Sequence, residues 1–575
     1  MRKPSGTLIT RNYSNYRGVD FSNRKDEVNI YRSPDALNVW KNYKSTEGKS
    51  IETRPDVELL GEYSNTIFGL FFNENTKTMY IHTGTQIIVG ESVAYEGVTK
   101  HKSRFFVFDN KVYFMDGTNY LVQNGDTFEE VVGFIPTTTI SRNPNQGGTT
   151  YEDVNLLSPY RKNTFCGDGT STDYYLDSQQ IDNDYTPEAW IADDTGHEVI
   201  TTAFSVDYEA GKLTFFEAPP APLTDGQDNV VIQYKKDTGK AEIIKKCTLV
   251  EVFDNRVFAS GNPDYPNRLW HCSLQDASYW SDLDYYDEGT NDSPVKALVA
   301  GNNALWVLKA PSKSNTTIFY HNPTIDSTYG KIYPSTHSSI STGCKTTGIN
   351  FNDTICFYSG QGLEAITSDI TTEQTISHKS SMVDSKLLNE NLENMILVEW
   401  QGYLVTIIDN KMYLADSKQY SQINDHVEYE WYYFDIDKKV TAATIANGEL
   451  ILSTDENKRG VQTYGLYSMT NYSSNRKVES YWTTIEDEFN YPQYQKTTNK
   501  KGCVVDMEGE EITVYVKTDN KTFDLIKTYK NTKGYVVPRI KKKKWKSIQL
   551  KFYSNYPFSL YSNTLESYVG NYIKR

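Results

Sequence analysis

Apolar and polar residues alternate in short runs along most of this chain, and the runs come in pairs. In RFFVFDNKVYFMDG (104–117) two alternating stretches flank Asp-Asn, and LVEVFDNRVFASG (249–261) repeats the arrangement. The pattern returns in IFGLFFNENTKTMYIHTG (67–84), ALVAGNNALWVLK (297–309), TGINFNDTICFYSGQG (347–362), ILVEWQGYLVTIIDNKMYLAD (396–416) and AATIANGELILST (442–454). A period of two predicts half-buried strands, and Asn, Asp and Gly at the tips supply the positive φ that tight hairpins need. With Asn255, Asn302, Asn352, Gly402 and Asn447 as markers, the intervals are 47, 50, 50 and 45 residues. One four-stranded propeller blade occupies roughly 40–50 residues. The prediction is an all-β chain built on a six- or seven-bladed β-propeller, with an inserted β-sandwich and a C-terminal β-sandwich.

The insertion shows as a gap of 145 residues between Asn110 and Asn255. Residues 140–152, ISRNPNQGGTTYE, read as a Pro/Gly/Asn-rich linker, and residues 153–238 as the inserted sandwich, with Glu209-Ala210-Gly211 at a hairpin tip. Loop closure costs little extra entropy as loops lengthen, so a blade loop can carry such a module. The expected division is an N-terminal arm and ring-closing strand (1–60), first blades (61–152), the insertion (153–238), remaining blades (239–480) and the C-terminal sandwich (481–575). Either 51–63, IETRPDVELLGEY, or a strand near Trp482 closes the ring, because an open ring leaves an unpaired sheet edge. One hairpin is followed by a 261–269 connector that opens with GNPDYPN, which no strand interior tolerates. That run predicts a rigid loop within one blade, anchored by Trp270 and Trp280.

Composition agrees with strands: 44 Tyr, 24 Phe and 13% aromatics overall. The formal net charge of −15 argues against nucleic acid as the main partner, since duplex affinity comes mostly from cations neutralising phosphates. No apolar run is long enough for a membrane anchor, and the first residues lack the apolar core of a secretory signal. Cys166, Cys247, Cys272, Cys344, Cys356 and Cys503 are widely spaced with no CxxC pair, as expected of buried thiols in a protein made in a reducing cytoplasm.

Four stretches carry a resemblance: SPDALNVW with ETRPDVELLG near the start, FASGNPDYPNRLW, the following SLQDASYW, and FYSGQGLEAIT. Together, over roughly residues 15–480, the chain resembles the head–tail stabilisation, or tail hub (ring), proteins of tailed bacteriophages. The family's TRPG-type turn is here Thr53-Arg54-Pro55-Asp56, with Asp in place of Gly. The resemblance implies a non-enzymatic virion structural protein, located in the neck or tail and made in the host bacterial cytoplasm. It implies ring-like copies joining the portal or adaptor ring to tail proteins, with passing contact to packaged DNA. Arg54, Pro55, Tyr265, Trp270, Trp280, Lys543 and Trp545 are the expected partner-interface residues.

No catalytic residue, cofactor or metal ligand is expected. The eight histidines form no HxH or HxxxH pair, and there is no G-x-S-x-G elbow or Walker-type loop. SGQG (359–362) reads as a tight turn. The acidic runs DLDYYDEGTND (282–292) and IADDTGHE (191–198) lack calcium-loop spacing and read as solvated loop charge, with a structural cation or a hydrolytic carboxylate pair at 282–292 as alternatives. RIKKKKWKS (539–547), whose Lys541 to Lys544 form the one basic run, reads as a protected strand edge, with DNA or an acidic neighbouring surface as alternatives. The rival function is a glycan-binding, receptor-recognising propeller of a phage tail.

Overall fold

The computed structural model describes residues 6–43, 50–192, 195–313, 315–328, 330–338, 342–368, 374–423, 426–458, 461–470, 477–519 and 521–572. Strands dominate. Helix is limited, among the described residues, to single turns at Glu242–Lys245, Asp384–Leu387 and Leu392–Asn394. The chain divides into two compact units, residues 1–79 with 342–575, and residues 80–341.

Among the described residues, antiparallel groups of four strands recur along the chain, seven in all. In the 80–341 unit the group Arg104–Phe108, Lys111–Met115, Tyr120–Asn124, Thr127–Glu130 is followed by Leu249–Phe253, Arg256–Ser260, Arg268–His271, Tyr285–Asp287. Next comes Val295–Gly301, Ala304–Lys309, Ile318–His321, Ser335–His337. The first strands of these three groups lie side by side. In the other unit, the groups beginning at Gly348–Phe351, Ile396–Trp400 and Lys439–Ala446 abut in the same way, and Lys439–Ala446 also abuts Ile67–Asn73. In the 80–341 unit Gln86–Val89 pairs antiparallel with Ser92–Glu96.

Local chemistry explains the hairpins. The tips Asp109-Asn110, Asp254-Asn255, Asn302-Asn303 and Asn352-Asp353 hold φ between 45° and 59°, and Gln401-Gly402 and Asn447-Gly448 are likewise left-handed. Two successive left-handed residues make the type I′ turn, whose twist matches that of paired strands. The last group is completed from afar: Asp56–Tyr63 pairs antiparallel with Val461–Thr470, about 400 residues later in the chain.

Residues 137–235 form a module within the 80–341 unit. A six-stranded sheet (Thr149–Thr150, Thr137–Arg142, Tyr160–Phe165, Val230–Lys235, Glu188–Ala192, Glu198–Thr201) faces a three-stranded one (Asp173–Tyr175, Lys212–Phe215, Phe204–Asp207). Between them lie Phe165, Tyr174, Leu213, Phe215, Ile232 and Tyr234. The stretch read as a linker, 140–152, is therefore part of a sheet: Thr139 pairs with Thr150, and Asn143-Pro144 begins the turn between. Its Pro, Gly and Asn residues are hairpin-tip residues, which composition alone does not separate from linker residues.

Residues 481–575 do not form a detached module. Their sheet continues from the Ile396–Asp435 strands through Val39–Trp40 and Ile51–Thr53 into Phe558–Tyr572, Tyr494–Thr518 and Ile548–Ser554. Ser480–Thr483, which carries Trp482, pairs with Ile548–Ser554. The N-terminal arm is fastened to the same unit. Leu8–Asn12 pairs with Phe558–Tyr572, and the Arg32 fork donates to both oxygens of Glu430 at 2.8 Å. Trp40 stacks on Trp400 with ring centroids 5.1 Å apart, inside the large core of this unit.

Candidate interaction surface

Residues 261–267 join Arg256–Ser260 to Arg268–His271 within one group of four strands, so the last two residues of the expected 261–269 loop belong to a strand. It starts at Gly261, with φ +78°, where an added Cβ would lie 2.5 Å from Thr248 Oγ1. Only glycine suits that backbone and that space. Asn262 is buried; its Nδ2 donates to the Ile243 carbonyl at 2.8 Å, and its Oδ1 accepts from the Asp264 N–H at 2.8 Å. The Tyr265 N–H donates to the Asn262 carbonyl, the Arg268 N–H to the Tyr265 carbonyl, and Ser260 Oγ to the Arg268 carbonyl. A loop tied this closely holds its side chains in fixed positions.

What it presents is a stack. The Arg268 guanidinium lies 3.8 Å from the ring centre of Tyr285 and 4.8 Å from that of Tyr265. Its Nε and Nη2 donate to the two Asp287 oxygens at 2.7 and 2.8 Å. Tyr265 and Tyr285 are both 37% exposed, and Trp270 packs edge-on beneath Tyr265 at 5.7 Å. Planar groups held in register with an exposed aromatic face can accept another flat or apolar surface.

The expected interface residues divide on burial. Tyr265 and Lys543 reach solvent. Arg54, Pro55, Trp270, Trp280 and Trp545 are buried within the chain and leave little side-chain surface for a partner. Arg54 instead ties the chain to itself, donating to Asn38 Oδ1, the Pro55 carbonyl and the Asp435 carbonyl at 2.9, 2.9 and 3.2 Å. Trp280 is enclosed with Tyr120 and donates from its indole to the Ala277 carbonyl at 2.9 Å. Arg268, Tyr285 and Asp287 were missed by sequence reasoning. Arg268 and Asp287 are cross-strand partners, but the long 272–284 connection hides that register.

In the acidic run 282–292 burial raises the Asp282 carboxyl and pushes that of Asp284 up to about 6, with Asp153 adding like charge to both. His271 lies 3.9 Å from Asp284, and burial lowers its imidazole to about 4. Lys240 acts on Asp282 and Arg256 on Asp284 in the opposite sense, but burial outweighs them. Of IADDTGHE, Asp193 and Asp194 lie outside the described residues.

The SGQG turn supports a second charged cluster. His378 Nε2 is 2.6 Å from Asp384 and its Nδ1 is 3.1 Å from Glu364, while Ser380 donates to Asp384 at 2.6 Å. These hydrogen bonds, first to Asp384 and then to Glu364, push the imidazole up to about 10. The residue types are those of a catalytic triad, but the arrangement differs: with a carboxylate on each ring nitrogen, the imidazolium clamps neighbouring strands and has no lone pair for Ser380.

No family model and no curated protein matches the chain. Among solved structures it is similar to virginiamycin B lyase from Staphylococcus aureus, with 10% identity, 72% of this chain and 99% of the other covered, and a TM-score of 0.35. It is also similar to an exo-β-1,3-galactanase from Phanerochaete chrysosporium, with 9% identity, coverage of 55% and 94%, and a TM-score of 0.21.

Proposed function

We propose that this chain is a non-enzymatic structural protein of a tailed-phage particle, a neck ring or tail hub component that joins the portal or adaptor ring to tail proteins. On this reading the seven four-stranded groups close into a seven-bladed propeller, with Asp56–Tyr63 as the strand that completes the ring. Such a ring protects its sheet edges and leaves its loops free to specialise. The reading rests on the resemblance in the SPDALNVW, ETRPDVELLG, FASGNPDYPNRLW and FYSGQGLEAIT stretches. The observation that carries it is the Tyr265–Arg268–Tyr285 stack. Tyr and Arg are enriched where partners bind: Tyr brings a large rigid face with two torsions to freeze, and here the Arg fork is already held by Asp287.

The same stack favours one second reading. Exposed tyrosine rings beside a fixed carboxylate also suit the face of a sugar, so glycan recognition at a phage tail is the alternative.

Gradient-purified tailed particles labelled with antibody against this chain test the proposal. Label at the neck or tail is expected, and its loss when Tyr265→Ala and Arg268→Ala are combined. Particles without the chain overturn the structural role. Label at the tail tip, with glycan binding abolished by the same two changes, supports the second reading instead.

A further inference from the structure

The run RIKKKKWKS is more ordered than a solvated charge cluster needs to be. Its backbone is pinned to Thr498, whose N–H donates to the Lys542 carbonyl at 3.0 Å and whose hydroxyl donates to the Ile540 carbonyl at 2.9 Å. Ile540 and Trp545 are buried, and Trp545 packs against Phe489 at 5.7 Å with the Lys496 ammonium 5.5 Å from its ring. Extended alternation then turns Arg539, Lys541 and Lys543 outward, and all three are exposed.

Lys544 breaks the alternation. Thr497 pairs with Lys543 and Lys496 with Trp545, so Lys544 is the extra residue of a β-bulge, with φ +55°. A regular strand would turn one of two adjacent residues inward; the bulge leaves Lys543 and Lys544 both exposed. Lysine is uncommon in the left-handed region, and such positions gather where a side chain is being aimed.

Counter-charges are distributed unevenly. Lys542 pairs with Asp524, and Lys546 with Glu488 at 3.3 Å. Among the described residues no acidic side chain pairs with Arg539, Lys541, Lys543 or Lys544. Four cations within six residues thus make no ion pair among the described residues, and of them Lys544 borders a cavity that Asp26, Glu486, Glu488 and Asp519 also line.

We propose that Arg539, Lys541, Lys543 and Lys544 form a contact edge for the phosphate backbone of a nucleic acid duplex. A protein partner fits less well, because lysine is depleted at protein interfaces and the one aromatic residue of the run is turned inward. Phosphates need only positive charge at reachable positions and carry no sequence requirement. Near 0.1 M salt the screening length is about 10 Å, so this edge acts locally despite the acidic body. The phage resemblance allows passing contact with DNA, but the geometry above does not use it, so duplex binding and a place in the particle are tested separately.

Fluorescence anisotropy with a labelled 20-base-pair DNA duplex of arbitrary sequence tests it. Four phosphate contacts at a log–log slope of about −0.9 each predict roughly a 150-fold loss of affinity between 50 and 200 mM salt. Each single change, Arg539→Gln, Lys541→Gln, Lys543→Gln or Lys544→Gln, should reduce the slope by about 0.9, and the quadruple change should abolish binding. The singles keep the test valid if the quadruple variant misfolds. Absence of binding at 50 mM salt, or a slope unchanged in every variant, overturns the proposal. Binding to polyglutamate but not to the duplex overturns it in favour of an acidic protein surface.

Discussion

Asp284 sits partly exposed beside Asp153 and Asp282, and burial pushes its carboxyl up to about 6. A carboxyl whose folded pKa exceeds the unfolded value near 3.9 favours folding while protonated. That contribution is fully present below about pH 4 and is lost as pH rises through 6. Replacing Asp284 by Asn should therefore leave stability unchanged at pH 4 and raise it at pH 7.5, by about 1 kcal/mol after allowance for solvent screening. Urea unfolding at the two pH values measures this. A lower midpoint at pH 7.5 would instead mean that the carboxylate holds a cation, the alternative weighed for the 282–292 run. Arg54 teaches a related lesson. Its side chain makes three donor contacts inside the unit, and burial is a property that a motif's letters do not carry.

At the scale of elements, the hairpins were legible because every determinant is local: period-two alternation and tip residues that tolerate positive φ. The inserted module was legible as a block, but its start was not. Thr137–Arg142 enters beside Tyr160–Phe165, which is itself beside Val230–Lys235, so the module's two ends emerge close together on one sheet. With its own core, residues 136–238 produced alone should unfold in a single cooperative transition. Inside it Asp177 reaches solvent, while the buried Thr138, Thr139, Tyr234 and Asn163 donate to its carboxylate and hold it below its usual range. Asp177→Ala should cost about 1 kcal/mol, since several donors lose a charged acceptor at a site that water can still reach. Calorimetry of the excised module checks both statements; broad, non-cooperative melting would show that its core is incomplete.

At the scale of the whole molecule, the pairing of Asp56–Tyr63 with Val461–Thr470 ties the beginning of the chain to a sheet made near its end. Without it, the 461–470 strand would present an unpaired edge with backbone donors and acceptors exposed. A chain lacking residues 1–63 should lose its cooperative thermal transition and scatter light on concentration. A monodisperse truncated chain with an unchanged midpoint would show that this strand adds little. The C-terminal residues belong to the same scale, since their sheet runs on through Ile51–Thr53 and Val39–Trp40.

The strand-rich character, the hairpins and the place of the interrupting loop after Ser260 were readable from the order of residues, because neighbours along the chain set alternation and turn geometry. Only the tertiary structure decided which tryptophans and arginines are enclosed, that Arg268 lies between Tyr265 and Tyr285, and that Lys544 bulges outward. Those outcomes depend on register between segments tens to hundreds of residues apart, and a shift of one residue would reverse every face.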